Sequence, residues 1–405
     1  MPDPSLDSTA PLRSWLIDAG LANMSMAELL DGFCGRLVAT GFPLARAYLS
    51  TATLHPQLWA TGSTWLRGSL LEPTEIGYGF ERESSWVNSP FRHMLDSGLQ
   101  RLHRRLAGDG ALLDFPVLAE FRDDGLTDWL AVFHLFGWKL AHQEVDQLGV
   151  IISFATDRPE GWTAEELATI EDLSRPLALA AKASGSFATV RSLLATYLGD
   201  DAAERVVAGQ VRRGSVERIS AFVLYADLRG FTAFAEAAPP EEVIRRLNAY
   251  FDCMGEPVKA AGGHILKFLG DGLLAVFAPG ADKSAAAEAA LSAAREILHR
   301  IAALNEEERA AGRPPLEADI ALHEGEVTYG NVGTVDRLDF TVIGPAVNEA
   351  SRLEALCQAL GSPLLVSDSF VRAAPSVRLR SLGRHRLRGV REPREVFAPL
   401  PDDAG

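Results

Sequence analysis

Cysteine is scarce. The chain has three in 405 residues, Cys34, Cys253 and Cys357, far apart and with no CxxC pair or histidine at ligand spacing. That argues against a disulfide framework or a thiolate metal site, and free thiols in a reducing compartment are expected. Long basic runs are missing, and the formal net charge is −15. General nucleic-acid binding and adsorption to anionic membranes are therefore disfavoured. The N-terminal "MPDPSLDSTAPLRSWL" lacks the basic start and apolar core of a secretion signal. The most apolar stretch, "WLAVFHLFGWKLA", is shorter than a membrane span and carries His134 and Lys139. A cytoplasmic chain is expected, with no nucleic acid or inserted membrane among its partners.

What is present is an ordinary globular composition, 47% hydrophobic and 23% charged. The length favours two domains. In the first, "MSMAELLDGFCGRLVATG" has helical apolar spacing and "ARAYLSTATL" is strand-like. An aromatic, loop-rich middle follows. Then "LLDFPVLAEF", "DWLAVFHLFG" and "LGVIISFATD" read as three strands, the first two separated by the polar turn "RDDGLT". Thr163 and Glu166 stand in capping-box spacing before a helix, and His134 and Cys34 read as structural. Helix, sheet, helix suggests an α+β sensor-like domain.

The second region reads as strand, helix, hairpin, helix, strand, strand, helix, which predicts an α/β sandwich with helices on one sheet face. Val243, Leu247, Tyr250, Met254 and Val258 share one helix face. "LEADIALHEG" alternates as a half-buried strand, and "PAVNEASRLEALCQALG" reads as one helix. In the hairpin "HILKFLGDGLLAVF" both strands read as buried, yet Lys267 sits in the first and Asp271 in the turn. A buried charge requires a partner. Asp227, at the end of "ISAFVLYADL", would meet Asp271 if the two strands are neighbours. Converging carboxylates suit Mg2+ or Mn2+, and a two-metal site of this kind serves phosphoryl transfer. The turn "LRGFT" can aim backbone N–H groups at a phosphate. Asn348 and Arg352, four apart, share a helix face away from Ala346, Ala350, Leu353 and Cys357, and could bind a sugar oxygen and a phosphate.

"YADLRGFT", "HILKFLGDGLLAVF", "TVIGPAVNEASRLE" and "RLRGVREPREVFAP" occur in the order and approximate spacing of the class III nucleotidyl cyclases, which the chain resembles over about residues 215 to 398. The resemblance implies a ferredoxin-like, palm-like catalytic domain over residues 218–400. It makes Asp227 and Asp271 the aspartates holding two Mg2+ or Mn2+ ions per active site, with the Leu228 carbonyl as a further ligand. The Phe231–Thr232 backbone would cradle phosphate. Lys267 and Thr341 would read adenine, since guanylyl cyclases resemble Glu and Cys there. Asn348 would orient the ribose and Arg352 stabilise the α-phosphate. Arg388 replaces a triphosphate-binding lysine, and Glu326 stands where some members carry an arginine. The implied activity is conversion of ATP to 3′,5′-cyclic AMP and pyrophosphate, in a homodimer with active sites at the subunit interface. A guanylate or dual-specificity cyclase and a catalytically silent nucleotide-binding scaffold are the alternatives.

Residues 25–186, behind an N-terminal segment 1–24, are similar in their closing strand and helix to GAF sensor domains, with a PAS-like or unrelated α+β domain as the alternative. Residues 187–217 then form a helical linker. A small-molecule ligand of the first domain, or a scaffold role without one, follows from this likeness.

Overall fold

The computed structural model describes residues 9–70, 73–139, 147–375 and 377–400. Its packing divides after residue 193 into two units, each with its own sheet. Among the described residues no helix is long and apolar enough to cross a membrane.

The first unit contains β1 (Arg46–Ala52), β2 (Leu58–Leu66), β3 (Ser69–Leu70), β4 (Thr74–Gly77), β5 (Arg101–Arg105), β6 (Asp128–Lys139) and β7 (Gln147–Thr156). They form an antiparallel sheet in the order β3-β2-β1-β7-β6-β5, with β4 beside β2. Side chains alternate along β6 as the pleat requires. Leu130 and Val132 join Leu16, Phe33, Ile170 and Leu173 from the long helices on one face. Trp129, Ala131 and Phe133 join Met94 and Leu118 on the other. Of these three helices, Met26–Ala39 and Ala164–Leu198 begin with reciprocal caps. Ser25 and Glu28 close one, and the Thr163 hydroxyl accepts from Glu166 N–H (3.1 Å) while Glu166 accepts from Thr163 N–H (2.7 Å) at the other. Cys34 is buried in the core, and His134 bonds Ser174 at 2.8 Å.

"LLDFPVLAEF" is not a strand. Phe115 is extended, and Pro116 opens a helix, Pro116–Asp123. A proline with fixed φ and no N–H suits the first helical position and would forfeit a ladder hydrogen bond in a sheet. Leu118 and Phe121 then reach the Met94 and Trp129 core from one helix face.

The second unit contains β8 (Val216–Arg229), β9 (His264–Leu269), β10 (Gly272–Phe277), β11 (Glu317–Gly333), β12 (Leu338–Ile343), β13 (Leu364–Ser367), β14 (Leu379–His385) and β15 (Arg394–Pro399). The order is β14-β15-β13-β11-β8-β10-β9, with β12 on β11 and only β11–β13 parallel. Helices cover both faces rather than one. Phe222, Leu224 and Ala226 of β8 pack with Tyr250, Met254 and Val258 of the helix Pro240–Ala260 and with Ile297 of Lys283–Ala310. Ala221 and Val223 pack on Ala202, Ala346 and Ala350 from helices opposite. For the same reason β11 is buried on both faces from Ala318 to His323, not half-buried. Conversely β9 is the sheet edge and largely exposed, while β10 is buried throughout. The helix after "TVIG" stops at Glu354 and resumes only as Cys357–Leu360.

Candidate active site

Three adjacent strands bring acids to one end of the second sheet. In the β8–β11 ladder Asp227 lies directly opposite Asp319. On the other side of β8, Asp227 Oδ1 would sit 2.8 Å from a Cβ built on Gly272, the residue after Asp271. Gly272 therefore has no room for a side chain, and Gly270, at φ 67°, makes the left-handed bend that carries Asp271 round the turn. The convergence expected of Asp227 and Asp271 is present.

Its electrostatics are those of crowded anions. Burial and then the Asp271 charge push the Asp227 pKa up to about 6, with Asp319 adding to the rise. Glu354, from the helix Pro345–Glu354, is pushed up to about 7 by burial and by Asp227, Asp319 and Asp271. Asp319 is neutralised by Arg229, whose Nε donates to it at 3.0 Å and whose Nη1 reaches Glu317 at 2.7 Å. Among the described residues no such cation pairs with Asp227 or Asp271. Two half-buried carboxylates that repel each other beside a backbone turn are the donor set a hard divalent cation neutralises. Among the described residues no three His, Cys, Asp or Glu side chains form a metal cage by themselves.

Phe231 and Thr232 open the short helix Phe231–Ala237 behind Gly230, at φ 80°. This helix rests on Arg246, a fully buried guanidinium 4.4 Å from the Phe234 ring and 3.1 Å from Glu308. Leu228 is buried at the end of β8. Lys267, half-exposed on the edge strand, forms an ion pair with Asp339 on β12. Thr341, two residues on, shares that face of β12. Lys267 is thus not a buried charge, because the strand that carries it is an edge.

Asn348 is exposed on its helix, and the Arg352 guanidinium packs within 3.5 Å of where Gly389 would carry a Cβ. Arg388 beside it is exposed, and so is Glu326 on β11. Among the described residues Arg352 makes no bond to Asp227 or Asp271, and Lys267 is held by Asp339 instead. The chain thus carries the acids at the β8 and β10 ends, the Lys267–Asp339 pair with Thr341, and Asn348 with Arg352 on the helix that also bears Glu354. Asp319, Glu354 and Asp339 belong to this region and were not singled out in the sequence. For Glu354 the signal was available, since it lies four residues after the buried Ala350 and so on the sheet side of its helix.

Residues 214–398 match the family described as the adenylate and guanylate cyclase catalytic domain. The chain is 38% identical over 167 residues to an adenylate cyclase of Anabaena cylindrica, covering 40% of this chain and 32% of that protein. It is 36% identical over 168 residues to adenylate cyclase 1 of Rhizobium meliloti, covering 41% and 25%. The chain therefore spans a third or less of the length of these curated relatives. The solved adenylyl cyclase CyaB from P. aeruginosa is 29% identical, covering 47% of this chain and 100% of that one, at a TM-score of 0.43. By the family match and these relatives, residues 214–398 of this chain are similar to an adenylate/guanylate cyclase catalytic domain.

Proposed function

We propose that the chain is an adenylate cyclase that converts ATP to 3′,5′-cyclic AMP and pyrophosphate. The observation that carries this reading is the meeting of Asp227 and Asp271, unneutralised, at the end of β8 in a domain that matches cyclases. Mg2+ or Mn2+ would be held by these two carboxylates and the Leu228 carbonyl, and when bound supplies charge neutralisation at the attacking oxygen and the phosphates. The chain's own residues position the nucleotide. The Phe231–Thr232 backbone cradles phosphate, and Arg388 adds a cation for the triphosphate. Lys267 and Thr341 read adenine, with Asp339 fixing the Lys267 ammonium before the base arrives. Asn348 orients the ribose so that its 3′-oxygen attacks the α-phosphorus in line, and Arg352 donates to the α-phosphate oxygens as charge builds there. The names of the two curated relatives and the Lys267–Thr341 pair favour ATP over GTP.

The active sites of this reading lie between two copies of the chain. Glu354 senses the charges of Asp227, Asp319 and Asp271. Arg352, two residues earlier on the same helix, is rotated by roughly 200° from it and packs at Gly389. A guanidinium facing away from its own acids suits the acids of a second subunit, in a two-fold homodimer with two sites. The first unit, read as a GAF-like sensor joined through a helical linker, would set the rate. The scarcity of paired cysteine supports a reducing, cytoplasmic setting. The test is a parallel assay with ATP and GTP on the full chain and on one beginning at Val190. Cyclic AMP from ATP, at a rate that differs between the two chains, supports both parts. Nucleotide binding without turnover in Mn2+ overturns the first.

A further inference from the structure

The first unit has a partly open cavity of about 390 Å³ between its sheet and the short helices Ser84–Val87, Pro90–Asp96 and Pro116–Asp123. This is within the range of small-molecule sites, ~300–1,000 Å³. Trp59, Phe80, Trp86, Phe91 and Trp129 wall it, with Trp59 and Trp86 edge to face at 4.9 Å. Flat apolar matter fits such walls. A packed core would satisfy the same requirement, so the polar groups in the wall decide the matter.

One polar group in the wall is unmet. Arg46 lines the cavity, its guanidinium 4.5 Å from the Phe121 ring and 5.9 Å from that of Tyr48. Among the described residues no carboxylate pairs with it. Asp124 is felt only at a distance, and Glu120, also at the cavity, is exposed. Burial lowers the Arg46 pKa, the mark of a desolvated cation without a close anion.

We propose that this cavity binds a flat aromatic monocarboxylate of two or three rings, its carboxylate on Arg46 and its rings among the tryptophans. A guanidinium forks onto a carboxylate and gains strength where water is excluded. The inference stands apart from the cyclase reading, because it concerns only the first unit.

The test uses the full chain, titrated by calorimetry with 2-naphthoate and, in parallel, with its neutral isostere 2-naphthamide. We expect saturable binding of one 2-naphthoate per chain, at least tenfold tighter than the amide. Arg46→Gln should shrink that gap to less than twofold while the amide binds as before. The comparison of acid with amide needs no variant, so it holds even if a substitution unfolds the unit. No saturable binding of 2-naphthoate, equal affinity of acid and amide, or an undiminished gap in a folded Arg46→Gln chain each overturns the proposal.

Discussion

Replacing Asp227 by Asn should stabilise the metal-free protein at pH 8 while abolishing its activity. The reasoning starts from a carboxyl raised from its ordinary 3.8 to about 6 by burial and by Asp271. A raised carboxylate pKa means that the protonated form fits the fold and the ionised form strains it. Its contribution to stability is complete below about pH 4 and is lost as pH rises through 6. At about 1.4 kcal/mol per pK unit the loss is roughly 3 kcal/mol at face value. Asp227 is only half-buried, so solvent screening brings the figure to about 1.5 kcal/mol. Asparagine is uncharged and nearly isosteric, so it removes this loss. For a unit of roughly 200 residues the gain amounts to a rise in Tm of about 3–6 °C. Calorimetry in EDTA at pH 8 and pH 4 checks it: the gap should open at pH 8 and close at pH 4. Added Mn2+ should raise the Tm of the natural protein and leave Asp227→Asn unmoved. If Asp227 merely capped the turn, the substitution would be neutral or destabilising at both pH values, and the account of the site would be refuted.

Arg352→Ala should lower cyclic AMP formation by about 10²- to 10³-fold, the usual loss for one transition-state donor, with an unchanged circular-dichroism melt. Asp227→Ala and Arg352→Ala, each inactive, should regain roughly a quarter of the natural rate when mixed one to one, since half the two-fold dimers then carry one intact site. No recovery in demonstrated heterodimers contradicts the shared site. Lys267→Glu with Thr341→Cys should lower the ATP-to-GTP preference at least tenfold, read as the ratio of kcat/KM values, because the carboxylate replaces a donor at the base with an acceptor. Asp339→Asn should raise KM for ATP more than it changes kcat, because the Lys267 ammonium then loses the partner that fixes it.

Local signals carried much of the fold. The Thr163–Glu166 cap, the Gly270–Asp271 turn and the 3.6-residue stripe of Tyr250, Met254 and Val258 lie within a few residues in sequence, and each formed as the pattern requires. What depended on distant partners was not legible. Apolar alternation in β11 cannot reveal that its second face is also covered, since Ala321 meets Leu353 and Cys357 from two helices later in the chain. "LLDFPVLAEF" reads as a strand by composition, but Pro116 makes it a helix. The expected Asp227–Asp271 convergence rested on one guess about strand neighbours, which the β8–β10 pairing supplies. Asp319 was hidden because its relation to Asp227 is a register between strands distant in sequence. The Lys267 charge looked buried because a sequence does not say which strand is the edge.

The central claim is the chemistry of the acids at the end of β8, and turnover tests it directly. Purified full-length protein with Mn2+ and either ATP or GTP should release cyclic AMP and pyrophosphate in equal amounts from ATP, at a kcat/KM at least tenfold above that for GTP, and Asp271→Asn should release neither. Preference for GTP would contradict the base-reading assignment, and unimpaired turnover in Asp271→Asn would contradict the site itself.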